Sequence, residues 1–78
     1  MNKIELIAFL KEKIAQTLDC DPASIAADEN VHDLGLTSLN AVIISGDVED
    51  KFDVEVNPTV MFENHTIAKI AEEIINNG

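Results

Sequence analysis

In three stretches of this 78-residue chain, apolar residues recur three and four positions apart, and a chain built on that spacing has little but helices to fold into. From Lys3 to Leu18 the series is Leu6, Ile7, Leu10, Ile14 and Leu18, with Lys3, Glu5, Lys11, Glu12, Lys13 and Gln16 on the polar face. From Ser38 to Phe52 it is Ala41, Ile44, Val48 and Phe52, with Ser45 beside them. After Thr66 it is Ile67, Ile70, Ala71, Ile74 and Ile75. Strand-like alternation is confined to Val54 and Val56, too short to stand without a partner. That segment reads as an extended link into a short third helix, Thr59 to Glu63, whose apolar residues are Val60, Met61 and Phe62. The expected fold is all-α, a small four-helix bundle with three longer helices, one short one and a long first loop. At this length it is one domain, residues 1–78.

The punctuation agrees with that pattern. The Asp19-Cys20-Asp21-Pro22 cluster ends the first helix, because proline disfavours helical geometry in the residue before it. Asp21 before Pro22 reads as the cap of a short turn, with Ile25 pointing inward. The connection from there to Thr37 is long for a compact domain, so Ile25, Val31, Leu34 and Leu36 are expected to pin it to the core. Asn57-Pro58 opens the third helix with Asn57 as cap, Asn64-His65-Thr66 breaks it, Thr66 caps the last helix, and Asn76-Asn77-Gly78 stops it.

Stability has to come from helix packing, since the single Cys20 cannot form an internal disulfide and no Cys and His cluster suits zinc. A reducing cytoplasm is the natural compartment. Cys20 reads as a small, partly buried residue, and His32 and His65, beside turns and without metal-ligand spacing, as structural or solvent-facing. Fifteen acids against five lysines give a formal charge of −10. Such a balance disfavours nucleic acid and anionic membranes and favours partners with basic patches. The N-terminal stretch lacks the basic and long apolar regions of a signal peptide, and no segment is long enough to span a bilayer. The expectation is a cytoplasmic monomer with no membrane insertion.

The second helix and the turn before it carry the functional signal. Gly35 opens backbone angles closed to other residues, Thr37 is a helix cap, and Ser38 falls at the first helical position, presenting a hydroxyl at an exposed helix start. Opposite the core stripe lies a second apolar stripe, Leu39, Val42, Ile43 and Gly46, flanked by Asp47, Glu49 and Asp50. A helix apolar on two sides and carrying these carboxylates is not fully buried in so small a chain, so the second stripe reads as a docking surface. Gly46, costly inside a helix, marks either close approach by a partner or drift. No base and acid pair surrounds Ser38, so it is not a nucleophile with machinery of its own.

The segment Gly35-Leu36-Thr37-Ser38-Leu39, continued to Phe52 and Val56, resembles the Gly-x-Asp-Ser-Leu signature of acyl and peptidyl carrier proteins. The run Pro58-Thr59-Val60-Met61-Phe62-Glu63-Asn64-His65-Thr66-Ile67 is similar to that of carriers in polyketide and non-ribosomal peptide assembly lines. The resemblance covers nearly the whole chain and implies a four-helix carrier bundle. It implies that Ser38 receives a 4′-phosphopantetheine arm from coenzyme A through a phosphopantetheinyl transferase. The protein would then hold acyl, polyketide or aminoacyl groups as thioesters without catalysing a reaction. Partner enzymes, of acyltransferase, ligase or ketosynthase type with basic patches, would dock on Thr37, Leu39, Val42, Ile43, Asp47, Glu49, Asp50 and Met61. Thr37 departs from the family's aspartate and removes an anion beside the serine, so a permissive transferase is expected. The rival reading is a non-modified acidic interaction module on the same bundle.

Overall fold

The computed structural model describes residues 2–57 and 59–77, the side chain of residue 77 excepted. The expectations placed on Pro58 and Gly78 lie outside the described residues. The order is α1 (Lys3–Leu18), one turn of 3-10 helix (Pro22–Ser24), α2 (Ser38–Phe52), α3 (Thr59–Glu63) and α4 (Ile67–Asn77). Helix α1 packs against α2 and α4, and the short α3 bridges α2 and α4.

The core is assembled from the predicted stripes. Leu6, Leu10 and Ile14 of α1, Ala41, Ile44 and Val48 of α2, and Ile67, Ile70, Ala71 and Ile74 of α4 are all buried. Ile7, Leu18, Phe52 and Ile75 are half-buried at its edge. Phe9 and Phe52 meet edge to face, ring centroids 5.5 Å apart, an arrangement the aromatic quadrupole favours. The one buried polar side chain among the described residues, Ser45, donates its hydroxyl to the Ala41 carbonyl at 2.8 Å and is thereby paired.

Helices α1 and α2 end by the same device, and it is not proline. Asp19 and Asp53 adopt left-handed backbone angles, φ 57° and 55°. Just beyond them the Cys20 and Val54 N–H groups reach back to the Ala15 and Glu49 carbonyls, closing Schellman-type ends in which glycine is the usual residue. Aspartate is among the few other side chains that visit this region, so the sequence showed where the helices stop but not this left-handed geometry. The N-terminal caps are those expected: Asp21 accepts from the Ala23 N–H at 2.9 Å, Asn57 from Thr59 at 3.1 Å and Thr66 from Lys69 at 3.3 Å.

The long connection is tied to the start of α4. Asn30 and Thr66 form an isolated antiparallel bridge, the Val31 N–H donates to the His65 carbonyl at 2.8 Å, and the Ala68 N–H donates to the Ala27 carbonyl at 3.0 Å. Ile25, Val31 and Leu36 are buried as expected, but Leu34 is exposed, since the turn it sits in points it outward. Cys20 is likewise exposed, because it follows the left-handed residue and turns away from the helix. His32 has a ring partner the sequence did not reveal: it meets His65 edge to face at 5.4 Å.

Candidate functional site

Ser38 is delivered to the surface by a turn whose every step is bonded. Asn30 Oδ1 accepts the His32 and Asp33 N–H groups at 2.9 and 3.3 Å. The Gly35 N–H then donates to the His32 carbonyl at 3.1 Å, and the Leu36 N–H to the Val31 carbonyl at 3.2 Å. Gly35 takes φ +106° to complete this reversal, a region strained for any residue with a Cβ. Buried Leu36 anchors the extended residues that follow. Two residues later the chain enters α2 at Ser38.

Thr37 is the cap. Its hydroxyl accepts the Asn40 N–H at 3.2 Å and donates to Asn40 Oδ1 at 2.8 Å, while that same Oδ1 accepts the Thr37 N–H at 3.1 Å. The result is a closed, neutral capping box. Asn40 was not read from the sequence as part of the site. Its signal was the Thr-x-x-Asn spacing, a short version of the Thr-x-x-Glu/Gln pattern that marks such boxes. Ser38 itself is exposed, and its hydroxyl has no hydrogen-bond partner among the described residues. The first turn of α2 carries no acidic side chain, and the N–H groups of Ser38 and Leu39 precede any possible intrahelical acceptor. An anion attached to Ser38 would therefore sit at the positive end of a 15-residue helix.

Beside Ser38 the second stripe lies open: Leu39 is 69% exposed, Val42 48% and Ile43 54%. Thr37 is exposed too, yet both functions of its hydroxyl are spent on Asn40. Asp50 is exposed. Asp47 is half-buried and lies 4.0 Å from Lys13 Nζ of α1, a partly exposed pair worth about 0–1 kcal/mol. Glu49 faces the following link, where its carboxylate accepts the Val56 N–H at 2.9 Å; it pins the chain after α2 and is not a free surface charge. Met61 does not belong to the surface at all. It is 0% exposed, because a five-residue helix wedged between α2 and α4 must turn one side chain fully inward.

Gly46 has no close neighbour from its own chain: a Cβ built there meets nothing within 4 Å. Internal packing therefore does not require glycine. Gly46→Ala is expected to stabilise the fold by about 1 kcal/mol, which raises the melting temperature by about 4–8 °C. A melting curve no higher than wild type would show that α2 depends on glycine in a way helix propensity does not capture.

A cavity of about 690 Å³ opens at the other end of α2, rimmed by Glu49, Glu55, Glu63 and Glu73. Glu49 is about 16 Å along the helix axis from Ser38 at 1.5 Å per residue. That cavity is acidic and remote from the serine. Among the described residues no group of His, Cys, Asp and Glu has the arrangement to hold a metal ion, and no helix is long and apolar enough to cross a membrane.

Comparison with known proteins agrees with this geometry. The sequence model of the phosphopantetheine attachment site family matches residues 8–74. Among solved structures, the chain is similar to a free-standing peptidyl carrier protein from an uncharacterized secondary metabolic pathway of Acinetobacter baumannii. The two share 29% identity, with a TM-score of 0.88 over 97% of this chain and 95% of that one. It is similar also to BlmI, a type-II acyl carrier protein of Streptomyces verticillus involved in bleomycin biosynthesis, at 25% identity and TM-score 0.84 over 96% and 88% of the two chains. The HMG-ACPI domain of the CurA module from Lyngbya majuscula shares the fold, with 24% identity and TM-score 0.83 over 97% and 77%. The chain belongs to the phosphopantetheine attachment site family: it is a non-catalytic carrier protein whose cofactor is 4′-phosphopantetheine, installed by a transferase.

Proposed function

We propose that Ser38 is the attachment residue and that the protein carries acyl, polyketide or aminoacyl intermediates between separate enzymes of a specialised biosynthetic pathway. The observation that carries the reading is the unpartnered, exposed Ser38 hydroxyl at the first position of α2, with no acidic side chain in that turn. In the transfer Ser38 Oγ forms a bond to the pantetheine-side phosphorus of coenzyme A, the pyrophosphate P–O bond breaks, adenosine 3′,5′-bisphosphate departs as the leaving group, and the hydroxyl proton passes to a base of the transferase or to water. The helix start then holds the resulting phosphodiester through its free N–H groups and its dipole. When attached, the arm supplies a thiol on which cargo is held as a thioester. The specialised-pathway part of the proposal draws on the likeness to a peptidyl carrier of secondary metabolism and to BlmI.

The test is the intact mass of the purified protein before and after incubation with coenzyme A, magnesium and a transferase of broad specificity. A gain of one phosphopantetheine arm per chain is expected. No gain, with a control carrier modified in the same tube, would favour the non-modified interaction module.

Partner enzymes are proposed to dock on Leu39, Val42 and Ile43, with Asp50 and the outer edge of Asp47 guiding encounter. Charges at the rim of an interface act mainly on association rate. Asp50→Lys is therefore expected to slow loading by a partner enzyme about two- to fivefold at low salt, less at high salt, with the helical circular dichroism unchanged. Loading at the wild-type rate at both salt concentrations would assign Asp50 to a merely solvated face.

A further inference from the structure

We infer that Asn40 is a positioning residue for the modification of Ser38, an inference that rests on the carrier reading of that serine. Its side chain and N–H make three hydrogen bonds to Thr37, at 2.8, 3.1 and 3.2 Å. These bonds close a ring over the two residues between them, Ser38 and Leu39. The Ser38 hydroxyl has no partner of its own, so its place in space is set by the backbone alone. That backbone is held from one side by buried Leu36 and from the other by the Asn40 box. Asn40 Oδ1 takes two donors at once, the Thr37 N–H and the Thr37 hydroxyl, and so keeps the reactive end of α2 closed without adding a charge beside the incoming phosphate.

The site follows from this arrangement. With the box closed, Thr37 offers partners neither a free hydroxyl nor a free N–H, and Ser38 is the one side-chain hydroxyl of the turn free to react. With the box open, the Thr37 N–H loses its acceptor, the first turn of α2 frays and the serine hydroxyl samples many positions. Of the apolar stripe only Leu39 shares that first turn, while Val42 and Ile43 stand on the next turn and are little affected, so the loss falls mainly on turnover rather than on binding.

The experiment measures phosphopantetheine transfer to purified wild type, Asn40→Ala, Asn40→Gln and Asn57→Ala by intact mass against time, over a range of carrier concentrations. Asn40→Ala keeps the bond from the residue-40 N–H to the Thr37 hydroxyl but removes the two bonds that Asn40 Oδ1 accepts, and is expected to lower kcat about two- to tenfold with KM within about twofold, the rate equivalent of about one hydrogen bond. Asn40→Gln keeps a neutral acceptor that reaches the Thr37 N–H, as in ordinary capping boxes, and is expected to restore most of the rate. Asn57→Ala removes a comparable pair of bonds, those its Oδ1 accepts from the Thr59 N–H and hydroxyl at the start of α3, and is expected to leave the rate unchanged. In parallel, amide exchange at Thr37, measured without any transferase, is expected to be faster in Asn40→Ala than in wild type. Wild-type kcat in Asn40→Ala, a Gln variant as slow as the Ala variant, an equal loss in Asn57→Ala, or unchanged Thr37 exchange would each overturn the inference. Absence of transfer to the wild type would instead overturn the carrier reading itself.

Discussion

Ser38→Ala is expected to abolish the gain of a phosphopantetheine arm while leaving the melting temperature of the protein where it was. The two halves of this expectation have separate causes. The serine is exposed and its hydroxyl bonds to nothing in the described chain, so removing it breaks no internal contact. Alanine is the best helix former, and surface changes of this kind stay within about 0.5 kcal/mol. Chemically the loss is complete, because no neighbouring hydroxyl can take over. The nearest candidate, Thr37, is engaged both as donor and as acceptor by Asn40. Intact mass after incubation with coenzyme A and a broad-specificity transferase reads the first half, and far-ultraviolet circular dichroism on heating reads the second. A modified Ser38→Ala protein would move the attachment site elsewhere, and peptide mapping of the product would locate it.

Met61→Ala is expected to cost about 2–5 kcal/mol, the range for removing a long buried apolar side chain whose space cannot fully close. At about 0.05–0.15 kcal/mol per residue a chain of this length has only about 4–12 kcal/mol in total. The variant therefore loses about a sixth of its stability at the least and melts lower by about 8 °C or more, at about 4–8 °C per kcal/mol. Met61 is 0% exposed and belongs to the same buried cluster as Ile44, Val48 and Ile70. In a helix of five residues there is no second turn to share the load. Met61→Leu, which keeps the volume, is expected to cost under about 1.5 kcal/mol. A Met61→Ala protein that melts within a few degrees of wild type would mean that α3 is not held through this side chain.

Met61 also marks the boundary between what local pattern reveals and what it does not. A run of three apolar residues, Val60, Met61 and Phe62, in one turn and a half of helix has no measurable period. Which of them faces inward is decided by where α2 and α4 leave room. In the structure Met61 is buried, Val60 half-buried and Phe62 38% exposed. Glu49 is a similar case. On a helical wheel it belongs with the acidic flank of the second stripe, but the chain folds back after Asp53 and brings the Val56 N–H, seven residues on, to its carboxylate. His32 and His65 are separated by half the domain in sequence, and their contact exists because the long connection is bridged to Thr66.

By itself the sequence determined the three long helical stripes, the caps at Asp21, Thr37, Asn57 and Thr66, the need for glycine at position 35 and the two-sided character of α2. Each of these depends on residues within about four positions of one another, the distance over which helix geometry and capping act. Tertiary structure alone decided that Met61 is core, that Glu49 and Asp47 have partners within the chain, and that Asn30 fastens the loop ahead of Ser38 to the start of α4. Those depend on which elements become neighbours, and packing around one small core sets that only when all four helices are in place.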